Sequence, residues 1–359
     1  MLKKLDRYII YRFIQTFFFI IALLMTISVV FDISEKLDDF LEKQPTIGQV
    51  IFDYYLNFVL YYGNLFSPLI IFLSLIYFTS RMAQRTEIVA MMSGGVSFNR
   101  FLRPFLIAAT ILAGTALVLN HLIIPRANKT RLAFEEKFYK SRNVNTNQDL
   151  HREVSPGKIV YFKSVDLGNR EGRQLALEQW EDGKLTDKIM AIKATQDAET
   201  KKWKMENYVI RSFGDGEEKV RQGLELDTLL GFDMKEFIKS VVFVSSMDYF
   251  ELEQYLEKAR LSGTDKMPYY LVEKHQRTSY PFATYVLTII GVSVASRKVR
   301  GGIGVQIAIG VLVTLLYVFA MKVTTVSATN AGLDPLLATW LPNIIFAFLA
   351  FILYRKARK

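Results

Sequence analysis

The sequence contains no cysteine, so it is not a small domain held together by disulfides. It has no G-x-x-x-x-G-K-[ST] stretch, the loop that cradles nucleotide phosphates in P-loop ATPases. Its three histidines, His121, His151 and His275, are isolated, and no H-E-x-x-H pattern offers ligands for zinc. Residues 291–295 lack the second glycine of a nucleophile elbow. We therefore expect no catalytic site, metal site or cofactor in this chain itself.

Negative charge is scarce outside the middle of the chain. The protein has 359 residues, with 45 Lys and Arg against 35 Asp and Glu and a formal net charge of +10. Residues 126–268 contain 25 basic and 25 acidic residues, so the whole excess lies in the two flanking segments, which are mostly apolar. A basic chain raises the question of nucleic acid. Positive charge confined to apolar segments is instead typical of a membrane protein, and we expect no nucleic-acid partner.

Six stretches are long and apolar enough to cross a bilayer, whose hydrocarbon core of about 30 Å requires roughly 20 helical residues. They lie near 13–33, 54–79, 104–124, 280–296, 303–325 and 335–354. An aromatic belt at the outer surface would account for four tyrosines of the second stretch, Tyr54, Tyr55, Tyr61 and Tyr62. The sequence therefore predicts an α-helical membrane protein with six transmembrane helices in two groups of three, within 1–125 and 269–359.

The short loops set the expected orientation through the positive-inside rule. Most of their basic residues lie on one side of the membrane, accompanied only by Asp6 and Glu87, whereas the opposite short loops carry Lys36 and Lys43 among carboxylates. Both termini are therefore predicted to be cytoplasmic, and residues 126–268 to be outside the membrane. The first span is expected to be an uncleaved anchor, because its apolar run is long and no small-x-small cleavage site follows it.

Residues 126–268 change from apolar runs to a pattern of short strands. The first part, 126–142, is polar with helical spacing and is expected to continue the third span outward. Period-two alternation and Asp-Gly turns at 181–184 and 214–217 then predict hairpins, and 248–262 has the pattern of an amphipathic helix. Regularly spaced short strands favour a β-sandwich or a rolled, open barrel. The predicted strands are 158–162, 174–180, 188–195 and 203–213.

The loop between the second and third spans contains a predicted short helix at about 85–95. Ile88, Met91 and Met92 form its apolar face, and the Gly-Gly pair that follows can end it through a left-handed cap. From the pattern alone two interpretations stay open. The helix either docks a cytoplasmic partner or rests on lipid headgroups as an interfacial helix.

Three sequence features resemble one known family. They are LDRYI at 5–9 before the first span, QRTEIVAM at 84–91 with GG at 94–95 after the second, and IP at 124–125 before a basic helix. With three plus three spans around an external β-domain, the whole chain is similar to the lipopolysaccharide-export permeases of the LptF/LptG (YjgP/YjgQ) type. The first two features resemble the G subunit of this family more than the F subunit.

The resemblance implies a permease subunit of an ATP-driven ABC transporter that extracts lipopolysaccharide from the outer leaflet of the bacterial inner membrane. In that family a paralogous permease subunit completes the cavity, and a cytoplasmic ATPase dimer binds the ATP. Periplasmic β-jellyroll domains pass the lipid to periplasmic bridge proteins. No cofactor is expected in this chain.

The loop helix matches the coupling helix of the family. By this resemblance the ATPase-coupling residues are Arg85, Glu87, Ile88, Met91 and Gly94. We expect Glu87 to contact a groove of the ATPase and Met91 to pack in that groove. The resemblance thus favours the docking interpretation over the interfacial one.

Lipid A carries phosphates and acyl chains, so its site needs cations beside apolar walls near the outer interface. By resemblance, basic residues at the outer ends of spans 1, 3 and 5 line the cavity. The candidates for substrate binding are Lys36, Arg126, Lys129, Arg131 and Lys322. Other interpretations stay open, since Lys322 can snorkel to the headgroups, Lys36 can pair with nearby carboxylates, and one of the three that follow span 3 can simply face solvent.

Three other functions fit the sequence less well than transport of lipopolysaccharide. A membrane-anchored envelope assembly or sensing protein would also display a β-domain, but paired anchors would suffice for display. An intramembrane enzyme would need a catalytic constellation, which the sequence lacks. A permease of another lipid or lipoprotein ABC exporter is the nearest rival, although its external domain and helix count would usually differ.

Overall fold

The computed structural model describes residues 3–138, 147–166, 170–197, 200–214, 218–232, 234, 244–261, 266–297 and 302–358. The chain forms two compact units. The helical unit comprises Met1–Phe138, Ser245–Leu252 and Pro268–Lys359, and the β unit comprises Tyr139–Val244 and Glu253–Met267. The predicted fold class, apolar helices with an inserted antiparallel β-domain, is therefore confirmed.

The α-helices are α1 (Lys4–Lys43), α2 (Leu56–Leu65), α3 (Ser67–Gln84), α4 (Glu87–Ser93), α5 (Phe98–Val118), α6 (Ile124–Phe138), α7 (Tyr249–Leu261), α8 (Met267–Ala295), α9 (Gly302–Asn330) and α10 (Pro335–Ala357). Two π-helical turns, Gln49–Tyr55 and Leu119–Ile123, precede α2 and α6. Among the described residues, five helices are long and apolar enough to cross a membrane, and they become six candidate spans if one pair of helices joined at a bend is counted as a span. Helix α1 has 40 residues. At 1.5 Å per residue it is about 60 Å long, so it extends beyond a hydrocarbon core of about 30 Å.

The second predicted span is two helices rather than one. The segment Gln49–Leu65 meets α3 at an angle of 65°. Pro68 lies in the first turn of α3, where its missing N–H and its ring, which clashes with the carbonyl four residues earlier, interrupt the helix. Hydropathy predicts a continuous span over 54–79 because a bend does not change the polarity of any residue.

Helix α3 is held closely against α8 and α9 at two glycines. A Cβ atom on Gly291 of α8 would lie 2.1 Å from Leu75 Cδ2, and one on Gly310 of α9 would lie 2.3 Å from Ile76 Cδ1. Both contacted side chains are fully buried. Small residues at helix contacts in membranes let the backbones approach, so these glycines set the position of α3 between the two later helices.

The described part of the β unit contains six antiparallel strands. They are β1 (Asn147–Ser155), β2 (Lys158–Asp166), β3 (Glu171–Glu181), β4 (Lys184–Gln196), β5 (Trp203–Phe213) and β6 (Glu218–Thr228). The strands pair in sequence order from β1 to β6, so the described sheet is a meander with β1 and β6 at its edges. None of the described connections crosses the sheet as those of a jelly roll do.

The interior of the β unit is an apolar cluster on one face of this sheet. Phe162, Trp203 and Met205 are fully buried in it. The predicted turn at 181–184 is confirmed, with Asp182 and Gly183 both at positive φ, as a two-residue hairpin requires. The second predicted turn, 214–217, lies outside the described residues from 215 onward.

Candidate functional site

Two groups of residues in the helical unit are candidate functional sites. The outer network is a cluster of charged and polar side chains that are buried or nearly so: Asp32, Lys36, Tyr54, Asn128, Arg131 and Glu135. The second group is the loop helix, α4, between α3 and α5. Both groups contain residues that the sequence predicts to bind a substrate or a partner.

In the outer network, Lys36 is buried and its charge is matched. It exposes only 5% of its surface. Its Nζ lies 2.9 Å from Asp32 Oδ1 on the preceding turn of α1 and donates a hydrogen bond to the Tyr54 hydroxyl. The hydroxyls of Tyr54 and Tyr55 donate to the two carboxylate oxygens of Asp32 at 3.1 and 3.2 Å. Lys36 is therefore paired with a nearby carboxylate, one of the interpretations left open by the sequence.

Glu135 joins Lys36 to a second buried cation. Its Oε1 lies 2.6 Å from Arg131 Nη1 and 3.8 Å from Lys36 Nζ. Arg131 also donates from Nε and Nη2 to Asn128 Oδ1, at 3.2 and 2.7 Å. Asn128 donates in turn to Ser245 Oγ at 2.7 Å. The network therefore extends from α1 through α6 to the segment before α7.

Helical spacing brings these groups together. Asp32 and Lys36 are four residues apart on α1, and the three α6 residues of the network follow one another at intervals of three and four, so each set shares one helix face. Tyr54 lies in the first π-helical turn, and the second turn directly precedes α6. Wider π-helical turns occur frequently at functional sites.

Aromatic rings surround the cations of the outer network. The Arg131 guanidinium lies 4.8 Å from the Tyr61 ring centroid and 5.4 Å from that of Tyr62, and Lys36 Nζ lies 4.5 Å from that of Tyr54. These distances are in the cation–π range. Phe134 also stacks on Tyr54 at a centroid distance of 5.0 Å. An interfacial belt was the role predicted for these tyrosines. The structure adds a second role, because their rings and hydroxyls also contact the buried charges.

The other three predicted substrate-binding cations lie apart from this network. Lys129 is exposed and its Nζ is 3.7 Å from Glu251 Oε1. Arg126 and Lys322 are also exposed, and neither has a carboxylate of a described residue within 4.0 Å. The structure therefore brings together Lys36 and Arg131 but not the other three.

The sequence did not single out Asp32, Asn128 or Glu135. The only available signal was the spacing, because Asp32–Lys36 and Arg131–Glu135 are both (i, i+4) pairs of opposite charge. Such pairs are common on solvated helices, so the spacing alone does not distinguish a buried network from a solvent-exposed face.

The loop helix is fixed at both ends. It begins after Thr86, which adopts the left-handed conformation with φ 60°, and Glu87 lies 4.0 Å from Arg85. At the other end, Val96 N–H donates to Met91 O and Gly95 N–H to Met92 O. This is the Schellman pattern, with Gly95 at φ +84°.

The apolar face of the loop helix points into the protein. Ile88 is buried and Met91 and Met92 are half-buried, all packed in one cluster with α1 and α5. The exposed residues of this helix are Val89, Ala90 and Ser93, and Val89 exposes 54% of its area. The sequence pattern does not single out Val89 or Ala90, because it shows where the apolar face of the helix lies but not whether that face meets a partner or the protein interior.

Asp6 and Arg100 anchor the segment after the loop helix. Both guanidinium nitrogens of Arg100 donate to the carboxylate of Asp6, at 2.6 Å each. Asp6 also accepts from the Lys3 backbone N–H at 2.8 Å. Asn99, which directly precedes Arg100, accepts a hydrogen bond from the Tyr354 hydroxyl of α10. The loop helix is thus followed by a segment tied to both the first and the last helix.

The charges of the outer network limit what it can bind. Its two cations are matched by two carboxylates, so it presents no net positive charge as it stands. Among the described residues, no group of three or more His, Asp or Glu side chains is arranged to hold a metal ion.

Comparison with known proteins identifies a family model that covers nearly the whole chain. The family model described as "Lipopolysaccharide export system permease LptF/LptG" matches residues 7–356. A search of curated proteins found no match.

Proposed function

This chain belongs to the LptF/LptG family of lipopolysaccharide export system permeases, and from that premise we propose that it is one permease subunit of an ATP-driven exporter. The complex extracts lipopolysaccharide from the outer leaflet of the bacterial inner membrane and passes it to a periplasmic bridge. The observation that carries this proposal is the family match, which extends over nearly the whole chain. The spans and the inserted β unit agree with it.

Both termini are proposed to be cytoplasmic and residues 126–268 periplasmic. The supporting observation is charge, since the loops assigned to the cytoplasm carry Arg81, Arg85, Arg100 and Arg103. The loop helix then faces the cytoplasm, and the outer network lies toward the periplasm, because α1 carries it on the half farther from the N-terminus.

A cytoplasmic ATPase dimer is proposed to dock on the loop helix and to bind the ATP that this chain does not. Arg85, Glu87, Ile88, Met91 and Gly94 are the coupling residues. Their roles differ: Ile88 and Met91 hold the helix on the interior cluster, whereas Glu87 and the exposed Val89 are available to the ATPase. The glycine pair ends the helix and keeps this surface in place.

Lipopolysaccharide is proposed to bind at the periplasmic side through the cations of spans 1, 3 and 5. Lys322, Arg126 and Lys129 are exposed and can meet phosphate groups first. Lys36 and Arg131 are buried behind Glu135 and the tyrosines. A phosphorylated headgroup would thus contact an outer set of cations before an inner one.

A paralogous permease subunit is proposed to complete the cavity, with this chain as the G-type subunit. Large apolar side chains of α1 and α9 are exposed, for example Phe19, Phe31, Leu315 and Phe319. The periplasmic bridge is proposed to pair with an edge of the β unit, because β6 is an edge strand whose outer backbone groups can accept another strand.

The test is affinity purification of the full chain in mild detergent, followed by identification of co-purifying proteins and lipids. We expect an ATPase, a paralogous permease and lipopolysaccharide. Purified complex in proteoliposomes should release lipopolysaccharide to a periplasmic acceptor only with ATP. Recovery of a lipoprotein substrate in place of lipopolysaccharide would contradict the proposal.

A further inference from the structure

Glu135 occupies the position between the two buried cations of the outer network. One oxygen, Oε1, is 2.6 Å from Arg131 Nη1 and 3.8 Å from Lys36 Nζ. Its side chain is 12% exposed, whereas those of both cations are 6% exposed. A phosphate oxygen that bridged Lys36 and Arg131 would have to take the place of this carboxylate oxygen.

The two carboxylates of the network are held differently. Asp32 is contacted by Lys36 and by two tyrosine hydroxyls, so both of its oxygens accept hydrogen bonds. Among the described residues, the Glu135 carboxylate is paired with Arg131 and Lys36 alone. Displacing Glu135 from its cations therefore breaks fewer hydrogen bonds than displacing Asp32 would.

Burial explains why an anion must be present when no ligand is bound. Removing one partner of a buried ion pair leaves an uncompensated charge, which is strongly destabilising. Arg131 has Asn128 as its other hydrogen-bond acceptor, and that amide oxygen carries no charge. Glu135 thus supplies the negative charge that keeps Arg131 folded into the protein.

We propose that Glu135 is a resident counter-ion that a phosphate group of an anionic lipid displaces from Arg131 and Lys36. This inference rests on the proposed function, because it concerns the lipid that the permease binds. In the exchange the carboxylate swings toward the surface, and a phosphate oxygen takes its place between Arg131 Nη1 and Lys36 Nζ, where the hydrogen bonds that it accepts are charge-assisted. Glu135 is then a residue that sets affinity by competition, not a ligand of the lipid.

A purely structural role of Glu135 makes the opposite prediction. If the carboxylate only ties α6 to α1, its loss loosens the site and weakens binding of every ligand. If it competes with phosphate, its loss strengthens binding, and only for ligands that carry phosphate. The sign of the change in the Kd for lipid A therefore distinguishes the structural role from competition with phosphate.

The experiment uses the full chain, co-expressed and purified with its partner subunits and reconstituted in nanodiscs. Binding of lipid A, of dephosphorylated lipid A and of inorganic phosphate is measured for wild type and for Glu135→Gln. Glu136→Gln is the matched control, since Glu136 is the adjacent residue of α6 and is exposed. For Glu135→Gln we expect the Kd for lipid A to fall about tenfold, the change that corresponds to losing one competing charged hydrogen bond. The Kd for dephosphorylated lipid A should stay as in wild type.

Three results would overturn the inference. The first is that Glu135→Gln binds lipid A as tightly as wild type or more weakly. The second is that its affinity for dephosphorylated lipid A increases as much as its affinity for lipid A. The third is that inorganic phosphate alone displaces lipid A, which would assign the site to free phosphate. If Glu135→Gln does not assemble, Glu135→Asp is used, because its shorter side chain holds the cations less closely; tighter lipid A binding is again expected, and equal or weaker binding overturns the inference. Failure of the proposed function would be recognised by a different result, since the wild-type complex would then bind no lipid A.

Discussion

Arg100 and Asp6 form a bidentate ion pair that joins α5 to α1, with Nη1–Oδ1 and Nη2–Oδ2 both at 2.6 Å. Asp6 lies in the first turn of α1, and Arg100 in the first turn of α5, directly after the loop helix. The Asp6 side chain is almost fully buried, and Arg100 covers it. The pair therefore fixes the exit of the loop helix relative to the first span.

Asp6→Asn should lower the thermal stability of the purified complex. The amide keeps the size of the side chain but removes the charge that holds both guanidinium nitrogens of Arg100. The melting temperature in detergent measures the effect, and Asp38→Asn is the control, because Asp38 is an exposed residue of the same helix. Equal melting temperatures for both variants would mean that the pair is not needed for stability.

Gly291→Ala and Gly310→Ala should destabilise the helical unit by about 1–3 kcal/mol each, the usual cost of overpacking a core. The added methyl groups would lie 2.1 Å and 2.3 Å from the buried side chains of Leu75 and Ile76. Gly114→Ala is the control, since a Cβ there meets nothing within 4 Å. In a helix it should be neutral or stabilising by up to about 1 kcal/mol. Denaturation in detergent compares the three, and a stabilised Gly291→Ala would contradict the close packing.

Val89→Asp should weaken binding of the ATPase by about thirtyfold, which corresponds to about 2 kcal/mol for a central interface residue. Val89 is the largest exposed apolar side chain of the loop helix, with 54% of its surface exposed. Glu87→Lys should also reduce retention of the ATPase. Co-purification and ATP-dependent lipid release are the measurements.

The control for the loop helix is Val220→Asp in β6, which introduces the same change at a valine that is 59% exposed. It should leave binding of the ATPase unchanged. If Val89→Asp and Glu87→Lys both retained the ATPase and lipid release, the interfacial interpretation of the loop helix would be favoured.

Lys322→Glu should lower crosslinking of lipopolysaccharide about tenfold, since a hydrogen bond to a charged group contributes about 1.5–3 kcal/mol. Lys322 is exposed on α9. Assembly with the partner subunits should be preserved. Lys184→Glu, at the exposed first residue of β4, is the control for charge reversal. Unchanged crosslinking would leave only the interpretation in which Lys322 snorkels to the headgroups.

The β unit should lose stability at acid pH through Glu178. A hydrogen bond from Lys188 at 2.8 Å holds the pKa of the Glu178 carboxyl below its usual range, against partial burial, which raises it. Because the folded pKa is lower than the unfolded value of about 4.3, the contribution is complete above that value and is lost as the pH falls through the folded pKa.

Lys188→Ala tests this pair, since Glu178 and Lys188 are directly opposite on β3 and β4. It should reduce stability by about 0.2–1 kcal/mol at neutral pH, and by less at pH below the folded pKa. Hydrogen exchange of β3 and β4 amides in the full chain measures it, with Lys184→Ala as the control. A loss that persists unchanged at low pH would point to packing of the lysine stem instead of its charge.

Parts of the fold were predictable because their signals are local. Long apolar runs predicted the spans, and Asp-Gly between alternating residues predicted the β3–β4 hairpin. Strands β1 and β6 were not predicted. The side chains of β6 are mostly exposed, so an edge strand such as this shows no alternation of apolar and polar residues.

The membrane class, the insertion of a β unit and the family follow from the sequence, because hydropathy, short-range periodicity and family motifs are all carried by neighbouring residues. The sequence also identifies Lys36 and Arg131 as candidates. Three-dimensional packing is needed to show that these cations are buried, that Glu135 joins them, and that the apolar face of the loop helix points inward. Those relationships join residues of different helices, and the pairing of distant charges depends on the geometry of packing, which no local pattern contains.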